Sequence, residues 1–116
     1  MIEMRLYLAQ RLSALVIAPL VLGHLGLMIW AIRGGLSAGE ILSRTQGSVF
    51  WFCYYGLFVV AVAVHGAIGL RTIAGEWFGM RGSPANALAL VFLAAALVLG
   101  GRAVIAVTVI AVTGAA

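Results

Sequence analysis

Charged residues are scarce in this sequence, and both lysine and aspartate are absent from it. Only 9% of the 116 residues are charged and 65% are hydrophobic, whereas about a quarter of the residues in a soluble domain are normally charged. The seven basic residues are all arginine and the three acidic residues are all glutamate. This composition excludes a water-soluble globular domain.

Cysteine and clustered positive charge are scarce as well. Cys53 is the only cysteine, so no disulfide can form within the chain, and we expect it to be a small buried residue. The pI is near 10.3, but the arginines stand singly at the edges of apolar segments instead of forming a basic stripe, so no nucleic-acid partner is expected. The spans also lack a serine, histidine and carboxylate set, so hydrolysis is not expected.

Three apolar windows without charge each approach the ~20 residues that a membrane-spanning helix needs. They predict an all-α integral membrane protein with three transmembrane helices, in a single domain over residues 1–116 that forms part of a heteromeric helix bundle. The predicted helices cover about 12–32, 48–74, and 84–104 or beyond. A polar loop is expected from Arg33 to Gly47, and Ser83 and Pro84 are expected to cap and begin the third helix.

The distribution of arginine predicts the orientation in the membrane. Four arginines lie on the side of the N-terminus and two on the other side, namely Arg5, Arg11, Arg71 and Arg81 against Arg33 and Arg44. Because cytoplasmic segments carry an excess of arginine, we expect the N-terminus to be cytoplasmic.

Two histidines, His24 and His65, lie inside the predicted spans, where ionisable residues usually have a function. Neutral imidazole is a good axial ligand for haem iron. Gly66 and Gly69 beside His65 have no side chains, so a flat haem ring is expected to be able to approach the helix backbone there. Arg71 is placed to meet a haem propionate. Histidines that hydrogen-bond across helices, with the glycines serving helix packing, are the alternative.

The two histidines differ in depth. His65 lies six residues from Arg71, roughly 9 Å inside the near boundary, and His24 lies thirteen residues from Arg11, roughly 20 Å inside. Two axial ligands of one iron must lie at the same level. His65 therefore needs a histidine from a partner chain if it binds haem.

Two motifs carry a resemblance to a known family. Helix I opens with Gln-Arg-Leu-Ser-Ala at residues 10–14, and helix II ends with His-Gly-Ala-Ile-Gly-Leu-Arg at residues 65–71, followed by Glu76. These stretches resemble the membrane-anchor cytochrome b subunit of succinate dehydrogenase or fumarate reductase, the three-helix anchor of complex II. The family motif is His-x3-Gly-x-Arg with an acid eleven residues after the histidine, which is the position of Glu76.

The resemblance implies the cofactors and the site residues. His65 would be an axial ligand of the iron of haem b, with the other ligand from a second membrane-anchor subunit. Arg11 would lie near a quinone pocket and a haem propionate. The sequence departs from the family at Gln10, Ala14 and Tyr7, where histidine, glycine and serine are usual. The hydroxyls of Tyr7 and Ser13 are the candidates for binding quinone in place of the usual family residues.

His24 matches the role of a first-helix histidine that binds a second, distal haem in some members of the broader family. Gly23 and Gly26 beside it are expected to leave room for the ring, and Arg102 or Arg33 to meet its propionates. The alternative is a histidine satisfied inside the helix packing.

The resemblance therefore implies a subunit that anchors an iron–sulfur subunit and a flavoprotein subunit to the inner (cytoplasmic) membrane. Flavin and iron–sulfur clusters would belong to those partners, and electrons would pass between succinate or fumarate and a membrane quinone. Two other interpretations compete with this one. A haem-free packing subunit would explain the histidines and glycines, whereas a small transporter would need a membrane-embedded acid, which is not evident.

Overall fold

The computed structural model describes residues 2–35 and 37–110, which form helices and short connections with no strand among them. Four α-helices, α1 to α4, and a π-helical segment follow in chain order. They are Ile2–Arg33, Ala38–Thr45, Val49–Phe78, Ser83–Ile105 and, for the π-helical segment, Ala106–Ile110.

Three segments are long and apolar enough to cross a membrane. They are Glu3–Arg33 with 31 residues, Val49–Phe78 with 30 and Ser83–Val109 with 27. Each exceeds the ~20 residues that the hydrocarbon core requires. The all-α class with three membrane-crossing helices is confirmed.

The first helix begins at Ile2 instead of near Leu12, because the polar residues before Leu12 continue the same helix. It ends at Arg33, and Gly35 follows with a φ of 91°, a conformation that glycine adopts without strain. Helix α3 ends at Phe78 and is likewise followed by a glycine of positive φ, Gly79 at 65°. We define the near end of the molecule as the end that carries Arg11 and Arg71, and the far end as the opposite one.

The connection after α1 contains the short helix α2, where the sequence analysis expected a loop. The Ser37 side chain accepts a hydrogen bond from the Glu40 amide at 3.1 Å, which satisfies one of the free N–H groups of the first turn. Arg44 then pairs with Glu40 at 3.3 Å and lies 4.8 Å from the centre of the Trp30 ring. The expectation of an irregular loop was wrong because this Ser-x-x-Glu capping signal was not recognised.

The start of α4 also differs from the expectation. Ser83 is the first helical residue and Gly82 occupies the capping position with a φ of 67°, without a side-chain cap. The helix begins with a hydrogen bond from the backbone N–H of Asn86 to the Gly82 carbonyl at 3.0 Å. Ser83 therefore does not cap the helix, whereas Pro84 does lie in its first turn.

Helix α3 lies between α1 and α4 and packs against both. The buried apolar residues are mostly alanines: Ala31, Ala61, Ala63, Ala67, Ala74, Ala85 and Val104. Small residues at helix contacts let the backbones approach closely, as is usual in membrane proteins. Cys53 is exposed on α3, so the expectation that it is buried was wrong.

The far end of α4 is joined to the segment between α2 and α3. The Gly47 amide donates to the Thr108 carbonyl at 2.9 Å, and the Thr45 hydroxyl donates to the Val107 carbonyl at 2.8 Å. Both carbonyls belong to the π-helical segment, where the regular α-helical ladder is interrupted. The helix continues through the Gly100–Gly101 pair before it changes to this form.

Candidate functional site

His65 lies between α3 and α1 and faces two polar atoms of α1. Its Nδ1 is 3.3 Å from the Ser13 hydroxyl oxygen and 3.4 Å from the Gln10 carbonyl oxygen. The Ser13 hydroxyl itself donates to that same Gln10 carbonyl at 2.9 Å. Ser13 is 8% exposed, so the group is closed off from the surroundings on this side.

The tautomer of the neutral His65 ring decides the roles in these contacts. The Gln10 carbonyl oxygen can only accept, and the Ser13 hydroxyl donates to that carbonyl. In the tautomer with its proton on Nδ1, the ring can donate to both oxygens. That tautomer leaves the lone pair on Nε2, the other ring nitrogen.

The glycines beside His65 are covered by protein side chains. A β-carbon at Gly66 would lie 2.7 Å from a ring atom of Phe92 on α4, and one at Gly69 would lie 3.5 Å from the Gln10 side-chain nitrogen. The expectation that Gly66 leaves space for a ring was wrong, because Phe92 fills that space. Gly66 lets α3 and α4 pack closely instead.

The near end of the site contains an open groove of about 560 Å³ between α1 and α3. We call it the near groove. Its polar lining comprises Glu3, Tyr7, Gln10, Arg71 and Thr72. The Gln10 side-chain oxygen is buried and has no hydrogen-bond partner among the described residues.

Arg71 is held at this end by two contacts. Its Nε donates to the Asn86 side-chain oxygen at 2.9 Å, and one terminal nitrogen lies 3.7 Å from a Glu3 carboxylate oxygen. Asn86 belongs to α4 and Glu3 to α1, so Arg71 links all three long helices. Neither partner was recognised from the sequence, although Asn86 is a conspicuous polar residue in an apolar helix.

The candidate quinone residues are divided between two faces of α1. Arg11 is exposed, and its guanidinium lies 5.7 Å from the centre of the Tyr7 ring one turn before it. Ser13 is two residues further on, about 200° around the helix, and points to His65 instead. The structure brings Tyr7 and Arg11 together and separates both from Ser13.

His24 lines a second cavity, at the far end, with a volume of about 390 Å³. We call it the far cavity. Besides His24 it is lined by Leu27, Met28, Ala31, Ile41, Arg44, Thr45, Trp51, Tyr55, Phe58, Val59, Gly100, Ala103, Val104 and Val107. All three long helices, α2 and the π-helical segment contribute to it.

The surroundings of His24 are mainly aromatic. The Tyr55 and Phe58 rings each meet the imidazole edge-on, with 5.9 Å between ring centres. The Nδ1 atom of His24 is buried and lacks a hydrogen-bond partner among the described residues. Arg44 is the arginine that lines this cavity, whereas Arg33 and Arg102 are exposed and do not line it.

The glycines near His24 differ from each other. A β-carbon at Gly23 would lie 2.7 Å from the Tyr54 hydroxyl oxygen, which donates to the Leu20 carbonyl at 2.6 Å. Nothing lies within 4 Å of such an atom at Gly26. Gly26 is therefore open, but it lies about 200° around the helix from His24 and does not line the far cavity, and Gly23 is covered by Tyr54.

The two histidines occupy separate levels of the same helix seam. Ser13, which contacts His65, and His24 are eleven residues apart on α1, or about 16 Å along the helix axis. No cluster of three or more histidine, cysteine or acidic residues that could hold a metal ion occurs within residues 2–35 and 37–110.

The fold and the two histidine levels define a three-helix membrane subunit with polar groups buried at its helix contacts. Over residues 1–114, the chain matches the succinate dehydrogenase/fumarate reductase transmembrane subunit family, and it belongs to that family. No curated protein and no solved structure gives a significant match.

Proposed function

We propose that this transmembrane subunit binds haem b through His65 and forms part of a quinone site at its near end. The succinate dehydrogenase and fumarate reductase complexes to which the family belongs exchange electrons between succinate or fumarate and quinone. In this proposal the chain anchors the iron–sulfur and flavoprotein subunits, which hold the flavin and the iron–sulfur clusters, and it does not bind succinate itself.

The observation that carries the proposal is the hydrogen-bonded His65 ring. Histidines that bind metals almost always donate their other N–H to a carbonyl, a carboxylate or water, which fixes the tautomer and the ring orientation. His65 has this arrangement before any metal is considered, with Nδ1 directed to the Gln10 carbonyl and the Ser13 hydroxyl. The residues therefore fit an axial haem ligand.

When bound, haem b supplies a one-electron redox centre between the iron–sulfur clusters and quinone. The second axial ligand is proposed to come from the second membrane-anchor subunit, because His24 lies at another level. Arg71 and Arg11 are the candidates for the haem propionates. Guanidinium groups stay charged and bind carboxylates well.

The quinone site is proposed at the near groove. Tyr7 and Arg71 line the groove, and the Arg11 guanidinium lies 5.7 Å from the centre of the Tyr7 ring, although Arg11 does not itself line the groove. Their phenol and guanidinium groups can donate hydrogen bonds to a quinone oxygen. The near end is also the proposed cytoplasmic side of the inner membrane, since it carries the majority of the arginines.

A second haem at His24 is a further candidate, and the far cavity favours it. The buried Nδ1 of His24 lacks a partner, which is costly unless a ligand or another group satisfies the ring. The Arg44 guanidinium, which lines this cavity, fits the propionates of a ring. In this arrangement Arg44 takes the role that the sequence suggested for Arg102 or Arg33.

The experiment is a measurement of haem content in the complex purified through a tag on this chain. Reduced-minus-oxidised spectra and the ratio of haem to protein are compared for the wild type, His65→Ala and His24→Ala. We expect His65→Ala to lose one b-type haem and His24→Ala to keep it. If the wild-type complex holds no haem, the haem-free packing subunit becomes the better account.

The same data decide the second candidate. Two haems in the wild type, with a different one lost in each variant, would establish His24 as a ligand. One haem, lost only in His65→Ala, would make His24 a packing residue.

A further inference from the structure

The Ser13 hydroxyl has no free face toward the near groove. It is buried, it donates to the Gln10 carbonyl at 2.9 Å, and its oxygen lies 3.3 Å from His65 Nδ1. Ser13 is also absent from the residues that line the near groove. A quinone contact, the role that the sequence suggested, is therefore poorly matched to its position.

We infer that Ser13 is a positioning residue for His65: together with the Gln10 carbonyl it fixes the Nδ1 proton and directs Nε2 toward the haem iron. The inference rests on the proposed binding of haem by His65. It adds that residues of α1 adjust the donor strength of His65, which belongs to α3.

The chemical consequence follows from the donor strength of the ring. A hydrogen bond from Nδ1 increases the basicity of the opposite nitrogen, which favours ferric over ferrous iron. Removal of the Ser13 oxygen leaves only the Gln10 carbonyl, at 3.4 Å, as an acceptor. The ring then becomes a weaker donor and its orientation less restricted, so the haem midpoint potential rises.

Ser13→Ala tests this role with little disturbance of the helix, because alanine is a good helix former and is smaller by one oxygen. We expect a more positive midpoint potential, altered g-values of the ferric haem in electron paramagnetic resonance, and about tenfold weaker haem retention. Ser13→Thr keeps the hydroxyl and should restore all three properties. The quinone KM should remain at the wild-type value in both variants.

Thr108→Val is the matched control, at the far end of the molecule. Thr108 also donates a buried hydroxyl to a backbone carbonyl, that of Val104 at 2.6 Å, but it has no contact with His65 among the hydrogen bonds of the described residues. Its removal should leave the midpoint potential and the g-values unchanged. A shift equal to that of Ser13→Ala would overturn the specific role of Ser13.

The outcomes separate this inference from the proposed function. If His65→Ala retains the wild-type haem, the assignment of the ligand fails, and the inference fails with it. If His65→Ala loses the haem but Ser13→Ala keeps the wild-type potential and g-values, only the inference is overturned. An increased quinone KM at an unchanged potential would likewise overturn it and return Ser13 to the quinone site.

Should Ser13→Ala not accumulate in the membrane, Ser13→Cys becomes the deciding variant. The thiol is nearly the same shape and is a weaker hydrogen-bond acceptor. A smaller rise in the midpoint potential supports the role of Ser13, and an unshifted potential contradicts it.

Discussion

The two histidines of this membrane subunit lie in the same seam between α1 and α3, but their surroundings are opposite in character. His65 faces a serine hydroxyl and a backbone carbonyl, and protein side chains cover the glycines beside it. His24 has aromatic neighbours, a cavity of about 390 Å³ and an Nδ1 atom without a partner among the described residues.

The comparison separates two ways in which a histidine can be accommodated inside a membrane. At the level of His65 the chain itself supplies two hydrogen-bond partners for the ring. At the level of His24 the chain supplies a cavity, and the Nδ1 atom has no hydrogen-bond partner among the described residues. The near level thus matches the ligand role proposed for His65, whereas the far level leaves a buried polar atom for an occupant or a partner subunit to satisfy.

The largest effect on catalysis is expected from Arg11→Ala. A charge-assisted hydrogen bond to a quinone oxygen contributes about 1.5–3 kcal/mol, so kcat/KM for quinone should fall by roughly 10–100-fold. Steady-state kinetics with a soluble quinone analogue measure this. Because Arg11 is also a candidate for a haem propionate, loss of its positive charge should lower the haem midpoint potential, the opposite direction to the rise expected for Ser13→Ala.

Arg33→Ala is the matched control for that variant, since Arg33 is exposed at the far end of the same helix. Equal losses of activity in the two variants would show that Arg11 serves only as an interfacial anchor.

Packing at the two levels is compared by adding one methyl group beside each histidine. Gly66→Ala would place a β-carbon 2.7 Å from the Phe92 ring, and we expect it to destabilise the helix packing by about 1–3 kcal/mol. Gly26→Ala meets nothing within 4 Å and should be neutral or stabilising by up to about 1 kcal/mol, because glycine inside a helix is less favourable than alanine. Unfolding of the purified complex in mixed detergent gives both values.

A smaller side chain at position 92 tests the steric explanation for the cost of Gly66→Ala. Phe92→Leu should relieve most of the cost of Gly66→Ala. If the double variant is as unstable as Gly66→Ala alone, the steric explanation is wrong.

A smaller effect is expected from Tyr54→Phe at the far level. The Tyr54 hydroxyl donates to the Leu20 carbonyl of α1 at 2.6 Å, and its removal should cost about 0.5–1.5 kcal/mol of stability. The haem proposed at His65 should keep its midpoint potential, because the Tyr54 contact lies at another level. A change in that potential would show that the two levels are coupled.

The smallest effect is expected from Glu3→Gln. Its carboxylate lies 3.7 Å from Arg71, but the Glu3 side chain is 76% exposed, so the pair should contribute well under about 1 kcal/mol. Detergent unfolding at low and high salt should show almost no difference from the wild type. A large loss at either salt concentration would assign Glu3 a partner beyond this chain.

The membrane-crossing helices could be predicted from the sequence because apolar length is a local property. The opposite faces of Arg11 and Ser13 also follow from helix geometry alone, although the sequence analysis assigned both to one quinone site. The short helix α2 was missed because eight residues give little periodicity, and only the spacing of Ser37 and Glu40 marks its start.

The tertiary contacts could not be derived in this way. Three of these contacts join residues that are distant in the sequence. The Phe92 ring packs on Gly66, the Asn86 side chain accepts from Arg71, and Arg44 lines the far cavity with His24. Each depends on which helix faces which, and hydropathy carries no information about that choice. The family resemblance identified His65 and Arg71, but it did not reveal that Ser13 is directed toward His65.

The most direct test of the central claim is a ligand exchange at His65. In the purified complex, His65→Met should convert the haem signature from two histidine ligands to one histidine and one methionine, with a more positive midpoint potential. The matched variant His24→Met should leave that haem unchanged. A spectrum with two histidine ligands that persists in His65→Met would contradict the account.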